Sequence, residues 1–102
     1  MDYGRMRKQA KRAGALMKAI ANENRLLILC QLVDGELSVG DLGRKLDLSQ
    51  SALSQHLARL RRDGLVRTRR QAQTIRYAIA SEEARLLISE MYRLFCGPAT
   101  ER

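Results

Sequence analysis

Residues 37–66, LSVGDLGRKLDLSQSALSQHLARLRRDGLV, decide the fold of this chain. The stretch reads as two short helices joined by a tight turn, followed by the start of a strand. Ser38 is a good cap for the first helix, with Asp41 three residues later in the capping-box position. Val39, Leu42 and Leu46 recur at spacings of three and four, which gives that helix one buried face. Asp47-Leu48-Ser49 breaks the pattern. Ser49 then caps a second helix running to about Asp63, and Gly64 stands where a helix C-terminus wants positive φ.

The second helix has two unlike faces. Leu53, Leu57 and Leu60 form a core stripe. Ser51, Gln55, Ala58 and Arg62 point the other way, with Ser54 and Arg59 on the flanks. Small, amide and guanidinium groups facing outward suit base edges and phosphates in a major groove. A helix, a turn of three or four residues and a polar-faced second helix make the helix-turn-helix pattern. The competing reading is an ordinary surface helix with solvated charge.

Charge weighs towards nucleic acid. The chain has 102 residues, a net charge of +8 and a pI of about 10.3. Between Arg59 and Arg76 seven arginines face one acid, Asp63. A single-sign block beside a candidate recognition helix is an electrostatic footprint for a polyanion. With 45% apolar residues, the chain is not a disordered basic tail. A membrane-surface protein would need an amphipathic helix exposing large apolar groups, and this window offers none. No signal peptide or spanning segment is visible. The expected location is the cytoplasm, where the two cysteines are normally reduced.

Outward from the centre, residues 1–9 read as frayed, and a first helix runs to about Ile20 with Ala13, Leu16, Met17 and Ile20 on one face. Arg5, Arg7, Lys8, Lys11 and Arg12 are within reach of a phosphate backbone, or are solvated charge. Asn22 caps a helix over about Glu23 to Val33, with Leu26, Leu29 or Cys30, and Val33 inside. After Gly64 come two strands, Val66 to Arg70 and Thr74 to Ile79. In the second, Ile75, Tyr77 and Ile79 alternate inward. Gln71-Ala72-Gln73 joins them without glycine or proline, so an irregular, mobile tip is expected rather than a tight primed turn. Ser81 caps a last helix, about Glu82 to Cys96. Its acids occupy the first turn, and Ala84, Leu87, Ile88, Met91, Leu94 and Phe95 form a wide apolar stripe. Gly97-Pro98 stops it, and the tail to Arg102 is expected to be loose.

The expected fold is thus mainly α: a single winged helix-turn-helix domain over residues 1–102, in the order α-α-α-α-β-β-α. The apolar faces of the first and last helices exceed what a small core needs, and a homodimer through them is expected. Such dimers set two recognition helices about 34–36 Å apart on a pseudo-palindrome. The candidate DNA-binding residues are Gln50, Ser51, Ser54, Gln55, Arg59 and Arg62 on the second helix of the motif. On the hairpin they are Arg69, Arg70, Gln73 and Arg76.

The pattern resembles the ArsR/SmtB family of bacterial winged-helix repressors over nearly the whole chain. The resemblance is carried by residues 19–26 (AIANENRL), residues 49–60 (SQSALSQHLARL), residues 63–66 (DGLV) and Ile75-Arg76-Tyr77. It implies a homodimer that binds operator DNA and leaves it when an inducer binds. The family's metal sites are not matched. Where the arsenic-type site has cysteines, this chain reads ELSVGDL over residues 36–42, and the last helix has no histidine for a zinc-type site. His56, the one histidine, reads as a packing residue at the core's edge. No metal site, cofactor or catalytic group is expected.

Cys30 and Cys96 remain. Their separation excludes CxxC redox motifs and zinc ribbons. One falls on the second helix and one at the end of the last. This placement resembles the dithiol subgroup typified by HlyU, BigR and SqrR, which responds to reactive sulfur or oxidants by bridging such a pair. The resemblance therefore implies a redox-sensing repressor; the alternative is two structural thiols behaving as small hydrophobes. A metal-responsive repressor, a thiol enzyme and a protein-interaction module are the other functions weighed. An enzyme would need a base beside its cysteine, and the seven arginines speak against a module that ignores DNA.

Overall fold

The computed structural model describes residues 1–97, so the expected loose tail lies outside the described residues. The order is α1 (Tyr3–Ile20), α2 (Glu23–Leu32), β1 (Leu37–Ser38), α3 (Val39–Lys45), α4 (Gln50–Arg62), β2 (Val66–Gln71), β3 (Thr74–Ile79) and α5 (Glu82–Cys96). It is a mainly helical winged helix-turn-helix, as expected, with one strand more than the sequence suggested. β1 pairs antiparallel with β3, placing Leu37 opposite Tyr77 and Ser38 opposite Arg76. The sheet order is β1-β3-β2.

Side-chain caps set the helix boundaries. Asn22 accepts from the amides of Asn24 and Arg25, Ser38 from Asp41, Ser49 from Ala52 and Ser81 from Ala84. Each satisfies an N-terminal amide with no carbonyl partner within its own helix. Gly64 follows α4 at φ 81°. α1 starts earlier than expected. The Asp2 carboxylate accepts from the Arg5 amide at 3.2 Å, and the run of Arg, Met, Lys and Gln behind it favours helix. The first nine residues are therefore helical rather than frayed.

The core gathers Ile28, Leu29 and Leu32 of α2, Leu42 of α3, and Leu53, Leu57 and Leu60 of α4. Leu65, Val66 and Ile79 of the hairpin base join them, with Ala84 and Ile88 of α5. The inner face of α2 is Ile28-Leu29-Leu32; Leu26, Cys30 and Val33 flank it half-buried. Residues 26–30 are all apolar, so periodicity alone does not choose the face. Arg25 is the one buried charged residue among those described. Its Nε donates to the Ala19 carbonyl at 2.7 Å and its Nη2 to the Lys18 carbonyl at 3.4 Å. A cation on the last carbonyls of α1 complements the dipole there and fastens α1 to α2.

The wing departs from expectation at its tip. Gln71 pairs with Thr74, leaving Ala72 and Gln73 as a two-residue connection with Ala72 at φ 56°. Positive φ at the first central position alone is the type II′ sign pattern, whose twist suits a hairpin. The tight turn thus forms without glycine, at the cost of placing an alanine in the left-handed region. The alternation along β3 buries Ile79 and half-buries Tyr77, but Ile75 is exposed because the hairpin has run beyond the core by then.

Much apolar surface stays uncovered at both ends of the chain. Tyr3, Met6 and Met17 on α1, and Leu86, Tyr92, Leu94 and Phe95 on α5, are exposed. Only Ala84 and Ile88 of the expected α5 stripe are buried, with Leu87 and Met91 half-buried. The radius of gyration is 14.9 Å, against about 13 Å for a compact domain of this size. The excess comes from helices extending past the core they share.

Candidate nucleic-acid interface

α4 presents its candidate residues on a rigid mount. Leu53, Leu57 and Leu60 are fully buried, which fixes the helix's rotation and leaves Gln50, Ser51, Ser54 and Gln55 exposed along its N-terminal half. Amide and hydroxyl groups there combine donors and acceptors, as base edges require. His56 is half-buried beside this stripe, consistent with a place at the edge of the core.

The arginines divide by location. Arg62 is 70% exposed, with its Nε 3.6 Å from Asp63. Arg59 turns elsewhere: its Nε donates to Asp63 Oδ2 at 3.0 Å. It lines an open groove of about 800 Å³ with Arg12, Leu16, Lys18 and Glu83, on the side of α1 and α5. Arg61, which belongs to the arginine-rich window but not to the candidate contact residues, instead shares a cavity of about 440 Å³ with Val39, Ser54, Ala58, Arg62 and Tyr77. This cavity lies between α4 and the wing. The 54-58-61 spacing is one helical stripe, a signal available from the sequence.

The register of β2 on β3 divides the wing arginines further. Arg69 faces Arg76 across the strands, and Arg70 faces Ile75. Alternation therefore puts Arg67, Arg69 and Arg76 on one face and Arg70 on the other. Arg69 is held by Glu36, whose carboxylate accepts from both its Nε and its Nη2. Arg76 Nε donates to Gln71 Oε1 at 2.9 Å. Arg70 and Gln73 are exposed; Arg70 forms no ion pair among the described residues. On α1, Arg12 pairs with Glu83 at 2.6 Å and so ties α1 to the start of α5.

The cysteines sit on two helices that pack together. α5 lies against α2, and an Arg85 guanidinium N–H donates to the Val33 carbonyl at the end of α2. Cys30 is half-buried and Cys96 exposed, and both are free thiols. Burial pushes the Cys30 thiol pKa up, and the nearby Cys96 charge raises it further. Between the helices, beside Cys30, is a cavity of about 520 Å³ that reaches Asp34, Ser89 and Tyr92. Among the described residues no three His, Cys, Asp or Glu side chains converge as metal ligands, and no helix is long and apolar enough to cross a membrane.

The sequence pattern of bacterial regulatory proteins of the arsR family matches residues 22–68, from the cap of α2 into the wing. The transcriptional activator HlyU of Vibrio cholerae is 56% identical over 94% of this chain and 89% of its own length. The biofilm growth-associated repressor of Agrobacterium fabrum is 45% identical over 91% of this chain and 80% of its own. Among solved structures, reduced HlyU from Vibrio cholerae superposes with a TM-score of 0.85 at 58% identity, covering 90% of this chain and 97% of that one. The transcriptional repressor BigR from Xylella fastidiosa superposes with a TM-score of 0.90 at 37% identity, covering 96% and 100%. These relatives are transcription regulators rather than enzymes. With this fold and likeness across nearly its full length, the chain belongs to the arsR family of bacterial regulatory proteins, DNA-binding transcriptional regulators with a winged helix-turn-helix.

Proposed function

We propose that the protein is a homodimeric, cytoplasmic repressor that releases operator DNA when Cys30 and Cys96 are bridged. The observation that carries the switch is the pair of free thiols contributed by two helices that pack against each other. Likeness to a protein solved in a reduced form supports it. The relatives' names include both an activator and a repressor; repression is favoured because a winged helix seated on an operator blocks access by itself. In this reading Gln50, Ser51, Ser54 and Gln55 meet base edges. Arg61, Arg62, Arg70, Gln73 and Arg76 meet the backbone, and the exposed apolar residues of α1 and α5 meet a second copy.

The chemistry needs an oxidant of the persulfide or peroxide class. Exposed Cys96 reacts first: its thiolate takes the outer sulfur of an organic persulfide, and the organic thiolate leaves. The Cys30 thiolate then attacks the Cys96 sulfur, an S–S bond forms and hydrosulfide leaves. The pair loses two electrons and the persulfide gains them. Wild type, Cys30→Ser and Cys96→Ser are treated with an organic persulfide, and operator affinity and intact mass are followed. Wild type should lose the operator and gain one intramolecular bridge, while both single variants stay bound. Release by either variant, or release of wild type without a bridge, refutes the switch.

A further inference from the structure

We propose that Glu36 is a built-in competitor for DNA phosphate, keeping the Arg69 guanidinium of the wing occupied when the protein sits on DNA. The inference rests on the reading that the wing meets the DNA backbone. The sheet register places the partners together. Arg69 on β2 faces Arg76 on β3, which in turn faces Ser38 on β1. Glu36, two residues before Ser38, and Arg67, two before Arg69, belong to the same face. One carboxylate therefore sits among three guanidiniums. Two of these are engaged elsewhere: Arg67 Nη1 donates to the Ile79 carbonyl at 2.8 Å, and Arg76 Nε to Gln71. Arg69 is the one that Glu36 grips, through both Nε and Nη2. This forked geometry is shared by carboxylates and phosphates.

The grip is accessible. The side chains of Arg69 and Glu36 are 53% and 31% exposed, so a phosphate reaches Arg69 without unpacking the core. An exposed ion pair contributes little by itself. The hydrogen bond from Arg69, reinforced by the charges of Arg69, Arg76 and Arg67, holds the Glu36 carboxyl below the usual carboxylate range, so it stays charged wherever DNA is bound. The consequence concerns specificity. Each phosphate contact strengthens binding to every sequence alike. A carboxylate that occupies one wing arginine trims that common term and leaves the base contacts of α4 a larger share of the total.

The test is a double-mutant cycle of Glu36→Gln and Arg69→Ala, read as affinity for a random-sequence 30-base-pair duplex across a salt series. Glu23→Gln, an exposed acid in the first turn of α2, controls for net charge. Releasing about 0.9 counterion at 0.1 M salt corresponds to roughly an eight-fold change in affinity per protomer. Glu36→Gln should tighten binding by about that factor and steepen the salt slope by about 0.9 per protomer, while Glu23→Gln changes little. Arg69→Ala should cost little in wild type and the whole gain in the Glu36→Gln background. Glu36→Ser repeats the first arm, should the amide variant fold poorly. If Arg69→Ala costs the same in both backgrounds, or Glu36→Gln weakens binding, the competition is refuted while the wing stays on DNA. If Arg69→Ala costs nothing in either background, the wing reading itself falls.

Discussion

Replacing Arg61 by alanine isolates the groove between α4 and the wing. The Arg61 side chain is exposed, forms no ion pair among the described residues and shares its cavity with Ser54 and Tyr77. A dimer carries two copies. If each meets one phosphate, the change removes about 1.8 released counterions, and at 0.1 M salt affinity for any duplex falls on the order of sixty-fold. Arg59→Ala is the matched comparison, with the same charge removed two residues away. Its guanidinium is bound to Asp63 and faces α1, so its loss should change affinity about three-fold at most, by long-range attraction alone. Fluorescence anisotropy titrations of both variants between 0.05 and 0.3 M salt decide the matter. Equal losses, or an unchanged slope for Arg61→Ala, would show that proximity to the groove does not select the arginines that meet DNA.

Three further outcomes are expected. Gln55→Ala and Ser54→Ala should reduce discrimination between operator and random DNA by about 1–3 kcal/mol each if they contact base edges, with the salt slope unchanged; a loss shared equally by both DNAs refutes base contact. Ala72→Gly should stabilise the protein by about 0.5–1 kcal/mol in urea unfolding, because glycine relieves the positive φ; destabilisation would contradict the two-residue turn. Because burial raises the Cys30 thiol pKa, closure of the bridge after Cys96 is sulfurated should accelerate as pH rises from 7 to 8.5, and a closure rate independent of pH over that range would exclude Cys30 as the attacking thiolate.

The legible parts of the fold were those fixed by local chemistry. Ser49, the Leu53-Leu57-Leu60 stripe and Gly64 mark α4 in the sequence as in the structure, and α5 begins and ends where Ser81 and Gly97 place it. β1 was not legible, since two residues have no periodicity and become a strand only through the edge of β3. The Ala72 turn was not legible either; the strand register forces it against the residue's own preference. At the interface, composition identified the arginine-rich window but not which guanidiniums are occupied. The Arg59–Asp63 pair, at i and i+4, was within reach of sequence reasoning. The Arg69–Glu36 pair spans 33 residues and exists only once the sheet has formed.

On the two-thiol reading, the mechanical question is how a bridge at one end of α5 reaches α4 without touching it. Within a protomer the route is stiff. α2 packs on α4 through Ile28, Leu29, Leu32, Leu53, Leu57 and Leu60, and a close-packed core of this kind resists a graded shift. The compliant element is the C-terminal half of α5. Past Ile88 it buries no residue in its own protomer and ends at exposed Cys96, while Ala84, Ile88 and the Arg85–Val33 bond anchor its other half. Drawing Cys96 towards Cys30 therefore bends or swings this half and leaves the reading head intact. The same half carries exposed Tyr92, Leu94 and Phe95, which in the proposed dimer meet the second copy. The displacement is thus spent at the junction between protomers, where it rotates one intact reading head relative to the other. Two heads that each still fit a half-site no longer fit both at once, and the affinity gained by binding them together is lost. This account requires bridged protein to keep its stability and its weak affinity for an isolated half-site while losing the full operator. Measuring half-site and full-site affinities side by side tests it, and an equal loss on both would place the switch inside the protomer instead.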